Sequence, residues 1–417
     1  MPRLIAQGKW FFVLAVLIFL LNGVAGAAAL AAPVVPGKLE RGQAAALDPA
    51  SGTSDPYTLG CILPLSGKFA AYGNRALESM ILAAGLFDPQ KKSPVRLLVE
   101  DSQSRPDKAR AAVARLVREG AVALIGPLGS EEAQGAAEEA QRLKVPLLAL
   151  TQREGITEIG EYIFRGFLTG SQQIESLVKF AGADLQLRRF AVLYPDIAQA
   201  REMAGLFRRE VTRHGGTIVW AGAYKSDQTD FDEPVRKLTE ATEVTRIGND
   251  QAGGAPFPSF SFQAVFIPDS YRAVKMIVPQ LVNYDVRGIR LLGISGWNSP
   301  ELLYMEEPGN LEGAVFADSF FAAGIYPPTL DFVDRFYASY SREPDVMEAE
   351  VFDAAGMAVK ILMEGKGGLT REKFRNGLLG IRSYPGVTGR SSFSPQRFIE
   401  KEAFVLMVKD GKIVQVK

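Results

Sequence analysis

The chain has one cysteine and one histidine among its 417 residues. Cys61 has no second cysteine with which to form a disulfide in the chain, and it stands in a predicted apolar strand. We interpret it as a small buried hydrophobic residue, because no neighbouring His or basic residue supports the alternative, a reactive thiol. His214 has no second histidine to join it in a metal site, and no evident partners for a Ser-His-Asp triad. It precedes two glycines, so we interpret it as a solvated residue at a helix end.

An excess of charge of either sign is also lacking. The 47 Lys and Arg residues balance the 47 Asp and Glu residues, and no basic cluster is set apart from acids. Nucleic-acid binding is therefore not expected. No G-x-G-x-x-G follows a strand and no P-loop is present. We expect no enzyme activity, no cofactor and no metal.

Two adjacent acids, Glu131 and Glu132, are the one pair that suggests acid–base chemistry. Adjacent side chains on a helix do not face each other, so they make a poor catalytic pair. Their position at the start of a predicted helix favours a simpler role, stabilisation of the helix by acids in its first turn.

The N-terminus has the residue pattern of an export signal. Arg3 and Lys9 precede the apolar run 10–21, and small residues follow as far as Ala32. This pattern predicts a signal peptide at residues 1–32 and a periplasmic protein. The alternative is an uncleaved inner-membrane anchor, since the run and its Ala/Gly tail together approach the roughly 20 residues that span a bilayer. Residues 33–56 are rich in Pro, Ala, Gly and Ser and predict a flexible linker.

From residue 57 onward, short apolar strands alternate with amphipathic helices. The first strand (58–63) is followed by the turn PLSG (64–67) and a helix. Such alternation predicts parallel sheets covered on both faces, and ligands bind in the loops past the strand ends of such sheets. Two such blocks predict two similar α/β lobes. Further strands are predicted at 95–100, 121–125, 145–150, 189–194, 217–224, 262–267 and 289–294.

Two later segments differ from this pattern. Residues 403–409 and 412–416 flank Asp410-Gly411, which predicts a β-hairpin. Residues 243–261 form a long loop before a strand, and loops of this length are either functional or disordered.

Four motifs stand at predicted strand ends, namely PLSG with Tyr72-Gly73, LIGPLGSEEAQ (124–134), VPLLALTQ (145–152) and QAVFIPDSYRAVKMI (263–277). Together they resemble type I periplasmic binding proteins of the leucine/isoleucine/valine-binding family. The resemblance implies two doubly wound, Rossmann-like lobes joined by a three-segment hinge, with a ligand held between them. It places lobe 1 at about 57–168 and 325–385, and lobe 2 at about 169–324 and 386–417.

The same resemblance implies which residues face the ligand. Tyr72, Tyr271 and Trp297 fall in predicted interlobe loops, where an aromatic ring either stacks on a ligand or packs on its own lobe. Ser130 either contacts the ligand or caps a helix. The full set of candidate ligand-binding residues is Ser66, Tyr72, Ser130, Glu131, Thr151, Gln152, Ser270, Tyr271 and Trp297.

The chain departs from the amino-acid-binding members in its loops. In those members, Ser and Thr hydroxyls of the second and third loops hold the ligand carboxylate, and an acid of the second lobe pairs with the ligand ammonium group. Here the second loop carries Glu131 and Glu132, the third reads Thr151-Gln152-Arg153, and residues 294–298 contain no acid. These departures argue against a standard α-amino acid as the ligand.

A second, partial resemblance is to the periplasmic activators of penicillin-binding proteins, which share IGPL, an L-x-Q segment and a long insert. Two functions thus remain open. One is the solute-binding component of an ABC importer for an amino acid or small metabolite, with a permease as partner. The other is activation of penicillin-binding proteins in peptidoglycan synthesis. A membrane-anchored sensory domain is a third alternative.

Overall fold

The computed structural model of the protein describes residues 55–86, 93–244 and 259–417. The predicted signal peptide and nearly all of the predicted linker lie outside these residues. The first strand begins at Asp55, so the last two residues of the predicted linker belong to a strand. In the described part of the chain, no helix is both long and apolar enough to cross a membrane.

Strands and helices alternate along the chain as the sequence predicts. The strands are β1 (Asp55–Leu63), β2 (Arg96–Asp101), β3 (Ala121–Ile125), β4 (Leu147–Ala149), β5 (Ile163–Arg165), β6 (Arg189–Pro195), β7 (Thr217–Tyr224), β8 (Glu243–Val244), β9 (Ser259–Phe260), β10 (Ala264–Phe266), β11 (Arg290–Gly293), β12 (Val315–Asp318), β13 (Tyr384–Gly386), β14 (Gly389–Phe393), β15 (Ile399–Glu400), β16 (Phe404–Lys409) and β17 (Lys412–Gln415). The helices are α1 (Ala70–Ala83), α2 (Pro106–Arg118), α3 (Ser130–Arg142), α4 (Gly170–Ala183), α5 (Ala198–Arg213), α6 (Asp232–Thr242), α7 (Tyr271–Asn283), α8 (Pro327–Tyr340), α9 (Val346–Glu364) and α10 (Arg371–Gly380).

The first lobe is built on a parallel sheet in the order β2-β1-β3-β4-β5. Helices α1, α9 and α10 cover one face of this sheet, and α2 and α3 cover the other. All five residues of β3 are buried because both faces of the sheet are covered.

The second lobe is built on a sheet in the order β17-β16-β12-β11-β10-β6-β7. Its strands are parallel except β16 and β17, which pair antiparallel. Helices α4 and α5 pack on one face, and α6 and α7 on the other. Two doubly wound lobes confirm the predicted fold class.

The chain passes between the lobes three times, after β5, after β12 and after β15. The predicted return to the second lobe at residue 386 is too early. Phe393 and Ile399 pack in the apolar core of the first lobe, and the chain joins the second sheet at Phe404. Hydrophobic burial holds β13–β15 in the first lobe, which the sequence pattern of these short strands does not show.

Several local predictions are confirmed. Cys61 is fully buried, and this burial raises the pKa of its thiol to about 12, so it is a core residue. His214 is an exposed residue at the end of α5. Asp410 and Gly411 both have positive φ in the turn between β16 and β17, as a two-residue hairpin requires. β8 and β9 pair antiparallel at the two ends of the long loop, whose residues 245–258 lie outside the described residues.

A buried charge cluster lies at the third passage between the lobes. The Lys401 ammonium group, 2% exposed, lies 3.8 Å from the Glu350 carboxylate and donates to the Thr388 hydroxyl at 2.5 Å. The Asp353 carboxylate accepts from the backbone N–H groups of Val387 (2.6 Å) and Thr388 (2.9 Å), and from the Thr388 hydroxyl. These contacts join α9, the β13–β14 turn and the passage from β15 to β16.

Replacement of Asp353 tests this cluster. Asp353→Ala leaves two buried backbone N–H groups without their acceptor, so we expect the free energy of unfolding to fall by about 3 kcal/mol. The matched control is Asp334→Ala, because Asp334 is exposed on α8. We expect that change to cost less than about 0.5 kcal/mol. Denaturant unfolding measures both, and similar losses in the two variants would contradict the role given to Asp353.

Asp318, at the end of β12, makes stability depend on pH. Its burial raises the pKa of the carboxyl from its usual value of 3.8 to about 7. The folded protein therefore binds a proton that the unfolded chain releases between these values, and this part of the stability is lost as the pH rises from about 4 to 7. We expect a loss of about 1 kcal/mol per pH unit across that window. Asp318→Asn should remove this slope in denaturant unfolding from pH 4.5 to 8, and an unchanged slope would contradict the assignment.

Candidate functional site

The strand order of the first lobe locates a candidate site. The chain leaves β1 toward β2 and leaves β3 toward β4, in opposite directions, so the loops after β1 and β3 diverge at a topological switch point. Ligands of open α/β sheets bind at such points, beyond the carboxyl ends of the strands. These loops hold Ser66 and the segment 126–130.

Ser66 is exposed and is fixed by Asp101, the last residue of β2. Its hydroxyl donates to Asp101 Oδ2 at 2.6 Å, and its N–H and that of Leu65 donate to Oδ1. Burial by itself would raise the pKa of Asp101, but the hydrogen bonds from Ser66 and the backbone lower it overall. The loop after β1 therefore presents a hydroxyl held by a charged carboxylate.

The loop after β3 depends on glycine. Gly126 has a φ of +100°, and a Cβ there would lie 2.0 Å from the Ile62 carbonyl oxygen. Gly129 is the N-cap of α3, and a Cβ on it would lie 2.3 Å from Glu132 Oε2. No other side chain fits at either position without movement of the neighbouring groups.

Glu132 occupies the space at the beginning of α3. It is 2% exposed and accepts a short hydrogen bond from the buried Ser102 hydroxyl. Burial raises the pKa of its carboxyl. The amide groups at a helix N-terminus attract anions, and here a carboxylate of the chain itself is folded against them. A ligand carboxylate has little space there.

Ser130 and Glu131 stand exposed in the first turn of α3. The prediction that Ser130 caps this helix is wrong. The N-cap is Gly129, whose extended backbone begins the helix one residue earlier, and α3 has no side-chain cap hydrogen bond. The Ser130 hydroxyl is thus not occupied by capping.

The remaining candidate ligand-binding residues of the first lobe differ in how exposed they are. Thr151 is 2% exposed, and its hydroxyl accepts from the Arg153 N–H at 3.3 Å, so it forms a turn. Gln152 beside it is exposed. Tyr72 is 53% exposed, but it lies in the first turn of α1 and not in the predicted loop.

The second lobe has its own switch point. The chain leaves β6 toward β7, and β10 lies on the other side of β6, so the loops after β6 and β10 diverge. Asp196 follows β6 and is ion-paired with Arg201 at 2.7 Å. Asp269 follows β10, is half-buried, and accepts from the Tyr224 hydroxyl at 2.5 Å and the Ser270 N–H at 2.6 Å. Burial, followed by the hydrogen bond to Asp269, raises the pKa of Tyr224, which stays neutral.

Ser270 and Tyr271 lie at this second switch point. Ser270 is the exposed N-cap residue of α7, and its side chain makes no cap hydrogen bond. Tyr271 is half-buried against the core of its own lobe, with the Arg272 guanidinium 5.6 Å from its ring centre. Both residues stand within two positions of Asp269 at the start of α7.

Trp297, one of the candidate ligand-binding residues, packs on its own lobe. It is fully buried, with its ring 6.1 Å from that of Phe316, and it is part of the core of the second lobe. A Cβ on Gly293 would lie 2.2 Å from the indole, so the ring fills the space that this glycine leaves. Its burial leaves no surface for a ligand to stack on.

Sequence reasoning missed two carboxylates at the switch points. Asp269 stands between the end of β10 and the N-cap of α7, a position in the quoted motif that signals a strand-end loop. Asp101 ends β2, and its contact with Ser66 joins residues 35 apart in the chain. Glu132 was placed in the second ligand loop, but its hydrogen bond with the buried Ser102, 30 residues away, was not predicted. Among the described residues, no three His, Cys, Asp or Glu side chains are grouped to hold a metal ion.

Comparisons with known proteins agree with this architecture. A Leu/Ile/Val-binding protein homologue from Brucella melitensis is 25% identical over 221 residues, which are 51% of this chain and 59% of that protein. The match thus spans little more than half the length of that relative.

Solved structures show the same fold. One, from Rhodospirillum rubrum and assigned to a branched-chain amino-acid ABC transporter, has a TM-score of 0.74 and 23% identity, and the match covers 86% of this chain and 99% of that one. Another is a solute-binding protein of an ABC transporter from Rhodopseudomonas palustris in complex with 3,4-dihydroxybenzoic acid. It has a TM-score of 0.60 and 20% identity, with 86% and 96% covered.

The model of one protein family matches nearly all of the described chain. This family is described as periplasmic binding protein, and its model matches residues 56–412, which include both lobes and all three passages between them. The protein therefore belongs to the periplasmic binding protein family.

Proposed function

We propose that the protein is the solute-binding component of an ABC importer and captures an amino acid or small metabolite between its lobes without transforming it. The observation that carries this proposal is the pair of switch points. Each lobe has one, and each presents polar groups: the exposed Ser66 and Ser130 in the first lobe, and the half-buried Asp269 and the exposed Ser270 in the second.

The groups at these switch points favour a ligand that donates hydrogen bonds. Asp101 and Glu132 lie on the first lobe, and Asp196 and Asp269 on the second, together with serine hydroxyls. Carboxylates accept hydrogen bonds and pair with cations. An amino acid or metabolite with an amino or hydroxyl group facing Asp269 fits this set, whereas a carboxylate at the start of α3 would meet Glu132.

Capture would proceed by closure of the lobes. Contacts with Ser66 and Ser130 on one lobe and with Asp269 on the other are made together only when the lobes approach, so a ligand stabilises the closed state in proportion to these added contacts. The relatives support this function, since they are assigned to amino-acid binding and to ABC transporters.

The other functions predicted from the sequence have less support. Activation of penicillin-binding proteins gains none from the relatives, and residues 245–258 of the proposed insert lie outside the described residues. A sensory role depends on an uncleaved leader and stays a prediction.

A compound panel tests the proposal. We expect an amino acid or a hydroxyl-bearing metabolite to raise the melting temperature of the protein, because a ligand that binds only the folded state stabilises it. Plain carboxylic acids without a donor group should give no shift in the same fluorimetric scan. If no compound shifts the melting temperature, or only plain acids do, the proposed site chemistry is wrong.

Asp269 is the most direct residue to change. Asp269→Asn removes the charge while it keeps the shape, and we expect the affinity for an amino-bearing ligand to fall about tenfold to a hundredfold, as for a lost charge-assisted hydrogen bond. The matched control is Asp334→Asn, at an exposed position of α8, and this variant should bind the ligand as the wild type does. Calorimetric titration compares the three proteins, and equal affinities would exclude Asp269 from the site.

Export is tested separately. If residues 1–32 form a cleaved signal peptide, the protein recovered from the periplasm should begin just after one of the small residues between 27 and 32. Intact-mass measurement gives the start of the chain. A membrane-bound protein that retains Met1 would instead support the anchor.

A further inference from the structure

A cavity of about 950 Å³ lies beside the passages between the lobes. The first lobe contributes the loop after β4, Arg165 at the end of β5, and the segment before β15; the second lobe contributes one face of α4. None of the candidate ligand-binding residues lines it. This hinge cavity is therefore distinct from the switch points described above.

Arg165 is a buried cation without an acidic partner in the described part of the chain. The residue is 6% exposed, and its Nε is buried without a hydrogen-bond acceptor. Its guanidinium lies 5.2 Å from the centre of the Phe398 ring. Burial lowers its pKa, and the attraction of the exposed Glu154 opposes this only in part. Because arginine stays protonated in proteins, the site holds a charge whose desolvation is not compensated.

A second guanidinium lines the same cavity. Arg397 donates from Nη2 to the Thr157 carbonyl oxygen at 2.8 Å, while its Nε is buried without an acceptor. The backbone N–H of Arg165 donates to the Arg397 carbonyl oxygen at 3.0 Å, so the two residues stand side by side on adjacent chain segments. Two guanidinium groups that line one cavity, neither ion-paired with an acid among the described residues, suit an anion with several oxygens.

The acids that line the cavity do not supply these missing acceptors. Glu402 is paired with Lys179 at 2.5 Å, and Glu175 with Arg213 at 3.4 Å. Glu154, Glu158 and Glu400 are exposed. Within the described residues none of the three forms an ion pair with Arg165 or Arg397. Arg390 adds further positive charge to the cavity wall, whereas the charge of Lys401 is already paired with Glu350.

We propose that the hinge cavity binds a multiply charged oxyanion, a phosphate, a phosphate ester or a polycarboxylate, through the guanidinium groups of Arg165 and Arg397. Such an anion would pair with both guanidinium groups and compensate the buried charge of Arg165.

An anion here would act on the lobes as well. Gln172, at the start of α4, lines the cavity and donates to the Ile399 carbonyl oxygen at 2.7 Å, so the second lobe touches the segment that carries Arg397. An anion held between these elements favours one arrangement of the lobes. By linkage, it changes the affinity for any ligand that prefers that arrangement.

Anion titrations of the purified protein test the proposal. Inorganic phosphate, glucose 6-phosphate and citrate are each titrated against chloride at equal ionic strength, with the melting temperature as readout. We expect a saturable rise with at least one of the three and none with chloride. A response to phosphate or its ester alone assigns the site to phosphates, and a response to citrate alone assigns it to polycarboxylates.

Variants decide whether the cavity is the site. Arg165→Gln and Arg397→Gln should each weaken the anion response about tenfold to a hundredfold. The matched control is Arg208→Gln, since Arg208 is exposed on α5 and does not line the cavity. If Arg165→Gln does not fold, the result with Arg397→Gln decides alone.

The proposal is overturned if no anion gives a saturable rise in melting temperature, or if the rise persists in the arginine variants. Neither result depends on the ligand of the switch points, so this proposal and the solute-binding function can fail separately.

Discussion

The buried ammonium group of Lys401 is the contact on which the arrangement of the lobes depends. It ties the last passage between the lobes to Glu350 of α9 and to Thr388, which in turn is held by Asp353. A buried charge is costly unless it keeps its partners, so these groups must remain in contact. An apolar contact is not directional and does not fix a position in the same way. The cluster thereby fixes where the chain leaves the first lobe.

The switch points and the hinge cavity differ in the sign of the charged groups that they hold. At the switch points, Asp101, Glu132 and Asp269 are acids held by hydroxyl and amide donors. In the hinge cavity, Arg165 and Arg397 retain donors without acceptors. One chain thus offers acceptors at the switch points and donors in the hinge cavity. A donor-bearing solute and an oxyanion are the complementary ligands, and they need not compete.

Much of the fold was predictable because periodicity is a local property of the sequence. The alternation of apolar strands with amphipathic helices predicts both sheets, and Asp410-Gly411 predicts the last hairpin. The boundary predicted at residue 386 could not be placed correctly from the sequence. Phe393 and Ile399 are apolar and suit the core of either lobe, and only their packing in the structure shows that they belong to the first. Trp297 illustrates the same limit at the site. The sequence places this tryptophan in a strand-end loop, where it could contact a ligand, but the structure shows that its ring is buried against Gly293. Glu132 was recognised as a first-turn acid, but its burial depends on Ser102, which is distant in sequence.

The central claim is that a small solute binds between the strand-end loops of the two lobes. The most direct measurement is a crystal structure with the compound that stabilises the protein most. The account predicts density for that compound in contact with Asp269 on the second lobe and with the segment 126–130 on the first. Density for the compound elsewhere, or loops that pack against each other and leave no space between them, would contradict it.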